Sequence, residues 1–381
     1  LAAHAGAPTV RGPGDTSASE PPTIAASSAA GETAGGAVDE CIGPYRLVRK
    51  LAEGGMGEVW LGAQHEPLRR TVAVKVIKRG LDTGEFVARF ASERQALALM
   101  DHPCIAKVID AGTTRRGRPY FAMEYVDGEP ILAYCDRHRL TVDDRLALFV
   151  KVCQGVQHAH QKAIIHRDLK PSNVLVTEHD GEATPKIIDF GVAKALGGEL
   201  TGHTLQTNLG QIVGTLDYMS PEQADLGDGN VDTRTDVYAL GVLLFELLAG
   251  RRPLESATLA GTGLVEILRL IREDEAVRPS ARLQAMAGEE ARQTAAARAT
   301  DPGTLARRLP SDLDWIVLRA LAKDRGQRYA TAHELADDIG RHLRNEPVLA
   351  GPPTRRYRAR KFVRRHRIWV AGSAVALVLV L

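Results

Sequence analysis

The sequence predicts an α+β chain of two lobes, an antiparallel sheet lobe with one helix followed by a larger, mainly α-helical lobe. Residues 45–125 hold short β-prone runs broken by Gly, Pro and charged residues, the texture of hairpin-linked strands. Beyond Gly128 the apolar residues recur at helical spacing, most clearly in Val142–Ala163 and Asp236–Leu248. The composition, 44% hydrophobic and 25% charged over 381 residues, allows a sizeable buried core.

Residues 1–40 are rich in Ala, Gly, Ser, Thr and Pro and offer almost nothing large to bury, which predicts a disordered arm. Tyr45–Val48, Val59–Leu61 and Val72–Ile77 then predict the first strands. Phe86, Phe90, Leu97 and Met100 lie at helical spacing over Phe86–Met100. His102-Pro103 ends that helix, because the residue before a proline avoids the α region. Ile105–Ala111 and Pro119–Tyr125 return to strand texture. In the second lobe, residues 281–308 are full of Ala, Arg and Gln with weak periodicity, which predicts a solvated insertion or a marginal helix. Asp312–Leu321 and Thr331–Leu343 resume helical periodicity, with Thr331 three residues before Glu334 at capping-box spacing.

A net charge of +2 is too small to make nucleic acid the main partner, and the basic residues concentrate near the C-terminus. Cys41, Cys104, Cys135 and Cys153 form no C-x-x-C pair and no zinc-ligand spacing. They are too few for a disulfide framework and read as reduced thiols of a cytosolic compartment.

Three segments carry chemistry. In Leu51-Ala52-Glu53-Gly54-Gly55-Met56-Gly57-Glu58-Val59 the glycines would let a backbone turn approach phosphates, although an ordinary Gly-rich hairpin reads the same way. The β-prone residues after it argue against a dinucleotide-binding turn, which needs a helix there. In Val72-Ala73-Val74-Lys75, strand alternation puts Ala73 and Lys75 on one face. Lys75 is then either a snorkelling surface lysine or an inward one, for which Glu93 on the next helix is the candidate counter-charge. The strongest signal is Ile164 to Leu175, where His166, Arg167, Asp168, Lys170 and Asn173 are held between apolar pairs. Lys186-Ile187-Ile188-Asp189-Phe190-Gly191 follows. Asn173 and Asp189 supply the hard oxygen ligands that Mg²⁺ takes when shared with phosphates. Asp168 is left to orient an incoming hydroxyl and accept its proton.

Together these residues resemble the eukaryotic-like (Hanks-type) serine/threonine protein kinase family over about Tyr45 to Leu343. Gly-Gly-Met-Gly and Met-Ser-Pro-Glu-Gln look most similar to its bacterial membrane receptor kinases. The resemblance implies a bilobal protein kinase fold, with an N-lobe over 45–125 and a C-lobe over 129–343. It also implies transfer of the γ-phosphoryl group of Mg-ATP, with Mn²⁺ a possible substitute, to Ser/Thr hydroxyls of protein substrates. By resemblance, Gly54, Gly55 and Gly57 cover the phosphates, Lys75 holds them and pairs with Glu93, and Asp168 is the catalytic base with Lys170 beside it. Asn173 and Asp189 bind the metal. Leu51, Val59, Ala73 and Leu175 would wall the adenine pocket, Met123 would gate it, and Glu124 to Val126 would form the hinge. Leu97, His166 and Phe190 would stack as a spine anchored by Asp236.

Gly214-Thr215 and Ser220-Pro221-Glu222 resemble the substrate-site loop and the end of the activation segment, with Glu222 expected to pair with Arg328. Lys170 with Thr215 is the family's Ser/Thr pattern. Thr201, Thr204 and Thr207 are candidate autophosphorylation sites, with Arg167 the expected partner of the phosphate. Ala52 stands where the family has its first glycine, which implies modestly altered nucleotide affinity. The hairpin around Glu178 to Pro185 reads as surface variation. A pseudokinase scaffold binding protein partners is the alternative; a small-molecule kinase is disfavoured by the run from Gly214 to Glu222.

The chain reads as a fragment of a longer protein. Arg355, Arg356, Arg358, Arg360, Lys361, Arg364, Arg365 and Arg367 crowd the segment 344–367, with no acidic residue after Glu346. Residues 368–381 carry no charge and include Trp369. They predict a basic juxtamembrane segment and the start of a truncated transmembrane helix, since about 20 residues are needed to span. The expectation is a single-pass protein of the inner (plasma) membrane that touches membrane lipid, with its kinase domain cytoplasmic. A homodimer would suit autophosphorylation.

Overall fold

Strand alternation builds the first lobe. A computed structural model describes residues 41–54, 57–78, 99–190, 216–225, 231–254, 263–309, 312–352 and 354–365. Its first sheet is antiparallel, with strands β1 (Cys41–Ile42), β2 (Tyr45–Gly54), β3 (Gly57–Gln64), β4 (Arg70–Ile77), β5 (Val108–Thr113) and β6 (Pro119–Glu124) in the order β1-β2-β3-β4-β6-β5. On β4, Val72, Val74 and Val76 are buried in a cluster with Ile42, Tyr45, Leu47, Tyr120 and Ala122. The period of two therefore turns Ala73 and Lys75 to the opposite face, toward the cleft between the lobes. The predicted helix over Phe86–Met100 lies outside the described residues except at its last positions, as does the arm 1–40.

The second lobe packs around Thr233–Ala249, a helix buried on nearly every side, the mark of a central core element. Val142–Gln161, Asp312–Ala320 and Ala332–Leu343 surround it. The carbonyl end of the central helix is closed by Gly250, whose φ of 72° lies in the left-handed region, and by Arg298, which donates to Leu247 O at 2.9 Å and Leu248 O at 2.7 Å. Arg298 and Arg145 are both buried, and their charges oppose the negative end of the helix dipole. A small second sheet, β7 (Glu129–Pro130), β8 (Val174–His179) and β9 (Glu182–Ile187), lies under the cleft.

Of the two expectations for residues 281–308, a solvated insertion or a marginal helix, the structure has helix. They contribute to three short helices, Pro279–Ala285, Gly288–Ala296 and Pro302–Arg308, which bury Leu283, Ala295 and Leu305, and Arg298 is buried in the turn between the last two. The predicted capping box at Thr331 is half formed: Thr331 accepts the Glu334 N–H at 3.1 Å, while the Glu334 carboxylate takes the Ala330 N–H at 3.0 Å.

Packing runs on past Leu343. Asp338, fully buried, accepts the N–H of Leu349 at 2.5 Å and of Ala350 at 2.9 Å, and the Tyr329 hydroxyl at 2.8 Å. A further helix, Arg355–Arg365, docks through Tyr357 and Lys361. Tyr357 donates its hydroxyl hydrogen to Asp312 at 2.9 Å and accepts the Val348 N–H at 3.0 Å, and buried Lys361 pairs with the same Asp312. Among the described residues no helix is long and apolar enough to cross a membrane, and residues 368–381 lie outside them.

Candidate active site

The glycine-rich segment joins two strands, β2 and β3, with Gly54 paired to Gly57. Its glycines have different reasons to be glycine. A Cβ on Gly57 would stand 2.3 Å from the Val76 carbonyl oxygen of β4, so the sheet itself excludes a side chain there. A Cβ on Gly54 would meet nothing within 4 Å. The sheet leaves that position open, and the room above it is what a phosphate needs. Ala52 pairs with Val59, and Leu51 falls at the irregularity in register between Lys50 and Ala52, so a methyl at position 52 fits the strand end. Gly55 is outside the described residues.

Lys75 faces inward. Its Nζ lies 2.5 Å from Asp189 Oδ1, with the lysine side chain 14% exposed. The expected partner Glu93 is outside the described residues, as is the spine residue Leu97. Asp189 lies two residues past the end of β9 and has a φ of 63°, and Arg167 has a φ of 61°. Left-handed backbone at non-glycine residues costs of order 1–3 kcal/mol and persists only where the surroundings enforce it.

Asp236 is that enforcement for Arg167. Its buried carboxylate accepts the N–H of His166 at 2.8 Å and of Arg167 at 2.9 Å, and His160 Nε2 lies 2.7 Å from it. Burial would raise this carboxyl, but hydrogen bonding and charge from His160, with those of His166, hold it below its ordinary value. His166 is itself fully buried, and burial pushes its imidazole toward the neutral form. The Asp168 N–H reaches His166 Nδ1 at 3.3 Å, so Nε2 carries the hydrogen and donates to Ile188 O at 3.0 Å. The His166 and Phe190 rings lie 4.7 Å apart, as the spine requires.

Asp168 Oδ2 lies 3.0 Å from Lys170 Nζ and 3.3 Å from Asn173 Nδ2, which also donates to Asp168 O at 2.8 Å. With its amide nitrogen spent inside the loop, Asn173 presents its carbonyl oxygen as the remaining ligand atom. The Ile188 N–H bonds Asn173 O at 2.9 Å, which sets Asn173 beside the residue that precedes Asp189. One amide oxygen and one carboxylate on adjoining strand ends form an all-oxygen donor set of the kind that suits a hard divalent cation.

Several of the residues expected at a base pocket are neighbours in the structure. Val126 and Leu175 are buried with Ala106 against Ile188, and Ala73 pairs with Met123 across β4 and β6. Val59 pairs with Lys75 on the neighbouring strand. The Glu124 carboxylate pairs with Lys186, at 2.8 and 3.1 Å, and also accepts the Lys107 N–H at 3.2 Å. Residue-by-residue reading missed Lys186 in this role, and it missed His160 and Gln223, whose Nε2 donates to Arg167 O at 2.9 Å. Their partners lie far away in sequence, and no spacing announces them.

Ser220 caps Pro221–Ala224 in a full capping box with Gln223. Glu222 meets Arg328 in two parallel bonds of 2.8 Å, as expected, and also accepts the Thr235 hydroxyl at 2.7 Å. The substrate-loop residues Gly214 and Thr215 and the threonines Thr201, Thr204 and Thr207 lie outside the described residues.

A model of the protein kinase domain family matches residues 45–338. Pkn1 of Myxococcus xanthus, a serine/threonine-protein kinase, is 37% identical over 291 residues, which is 76% of this chain and 37% of that protein. PknB of Mycobacterium tuberculosis is 36% identical over 312 residues, 80% of this chain and 44% of its own length. The chain thus spans less than half the length of these curated relatives. The crystal structure of the Mycobacterium tuberculosis PknI kinase domain superposes with a TM-score of 0.55 at 27% identity, covering 80% of this chain and 99% of that one.

Proposed function

Because this chain belongs to the protein kinase domain family, we propose that it transfers the γ-phosphoryl group of ATP to serine and threonine hydroxyls of proteins. The observation that supports an enzyme over a scaffold is the convergence of Lys75, Asp168, Asn173 and Asp189 on one cleft. Lys75 reaches toward the phosphates, and the open space above Gly54 lets the backbone cover them. Asn173 and Asp189 would hold Mg²⁺, with Mn²⁺ a substitute; when bound, the cation offsets phosphate charge. Asp168 orients the substrate hydroxyl and takes its proton as the oxygen attacks phosphorus and the bond to the β-phosphate oxygen breaks. Lys170, 3.0 Å from Asp168, is positioned to meet the transferred group.

The resemblance extends the proposal to regulation by autophosphorylation, between two copies of the chain, at Thr201, Thr204 or Thr207. The basic segment and the uncharged run 368–381 support a position at the cytoplasmic face of the inner membrane.

The test is mass spectrometry of the purified chain after incubation with ATP and Mg²⁺. The expected outcome is phosphate on at least one of those threonines, and a loss of about three orders of magnitude or more in rate for Asp168→Asn. Autophosphorylation by Asp168→Asn at the parent rate would overturn the assignment.

A further inference from the structure

The helix Arg355–Arg365 has two opposed faces. Tyr357 and Lys361, one turn apart, form the docked face described above, with Trp315 edge-on to Tyr357 at 5.4 Å. Successive helical residues turn by about 100°, so Ala359, Phe362 and Val363 project from the other side, at the i, i+3, i+4 spacing of an apolar stripe. Phe362 is 60% exposed and Val363 48%. Arg356 and Arg358 flank the stripe, Arg360 lies farther round, and Arg355 stands in line with it one turn before Ala359; all four are exposed. A helix that merely covered the lobe would turn polar residues outward. An outward apolar stripe edged with arginines is the pattern of a helix lying in a membrane interface.

We propose that this helix is a lipid-contact plate, with Phe362 and Val363 seated at the acyl boundary of an anionic bilayer and the four arginines on headgroup phosphates. The pairing of Lys361, Tyr357 and His342 with Asp312 fixes the plate to the C-lobe. The kinase domain is then held against the membrane in one orientation rather than swinging on a tether. Nucleic acid would use the arginines but has no use for the apolar stripe, and the sequence passes within a few residues into the uncharged run 368–381. This inference rests on the membrane position proposed above and adds the surface that meets the lipid.

The test is co-sedimentation of the full chain with vesicles of phosphatidylcholine, alone or mixed with phosphatidylglycerol. Hydrogen exchange of residues 355–365 is followed in parallel, and activity on a soluble peptide serves as the folding control. The expected result is binding about tenfold or more tighter to the mixed vesicles, with added protection over the helix. The combined variant Arg355→Gln, Arg356→Gln, Arg358→Gln and Arg360→Gln should lose that enhancement while keeping peptide activity. Phe362→Ser with Val363→Ser should weaken binding to both vesicle types. Equal binding of the parent and the arginine variant to mixed vesicles would overturn the proposal, as would duplex DNA displacing the vesicles. Those outcomes leave the membrane position intact if the chain still fractionates with membranes; recovery in the soluble fraction strikes that position instead.

Discussion

Arg167 and Asp189 sit in left-handed backbone conformations on either side of the proposed catalytic loop, with Asp236 bonded to the Arg167 N–H and His166 bonded to Ile188 O, one residue before Asp189. Under the proposed function, Asp236 acts on catalysis without touching substrate. Asp236→Asn keeps the shape but removes the charge and replaces one of two accepting oxygens with an NH2 donor, so either the His166 or the Arg167 N–H loses its acceptor, a change worth about 1.5–3 kcal/mol. We expect kcat to fall about tenfold to a hundredfold with the KM for ATP little changed, read by steady-state kinetics on a folded variant. An unchanged kcat would show that Asp236 does not position the loop. The clustering of the proposed catalytic residues was legible in sequence, because Asp168, Asn173 and Asp189 are polar groups packed among apolar ones, a pattern a solvated turn does not explain. His160 and Lys186 were not. Each lies on an element whose periodicity explains it without a partner, and the partners, Asp236 and Glu124, are 76 and 62 residues away.

At the scale of elements, the β2–β3 hairpin divides into a position set by the sheet and a position that the sheet leaves open. Gly57→Ala must push a methyl against the Val76 carbonyl, so strands β3 and β4 separate. Overpacking of this kind costs about 1–3 kcal/mol and should lower the melting temperature. Gly54→Ala meets no protein atom, so melting should hold while the KM for ATP rises. Thermal denaturation paired with ATP kinetics separates the two, and equal melting points for both variants would contradict the division. The long elements were readable because a sustained period leaves a clear record, as in Val142–Gln161 and Thr233–Ala249. The short helices between residues 279 and 308 were not, since seven to nine residues give few turns to register a period. Arg298 also misleads: an arginine reads as solvent-facing, yet here it is buried to cap a helix of the core.

At the scale of the whole molecule, the packed unit extends beyond Leu343, where helical periodicity in the sequence stops. Removing everything after Leu343 would strip Asp338 of two backbone donors and Asp312 of Lys361 and Tyr357, leaving two buried carboxylates short of partners. Each such loss costs about 1–3 kcal/mol. A chain ending at Leu343 should therefore melt about 5–10 °C below one ending at Arg365. The pH dependence identifies the source. Burial would raise the Asp312 carboxyl, but hydrogen bonds and charge from His342, Lys361 and Tyr357 outweigh it and lower it from 3.8 to about 2. Because the folded value lies below the unfolded one, this stabilisation is complete above the ordinary carboxylate range and is lost as pH falls through about 2. The gap in melting temperature should accordingly stay flat from neutral pH down to about 5 and narrow below about 4. Calorimetry of the two chains across that range is the measurement, and equal melting temperatures at neutral pH would mean that the C-terminal helix contributes nothing to the stability of the fold.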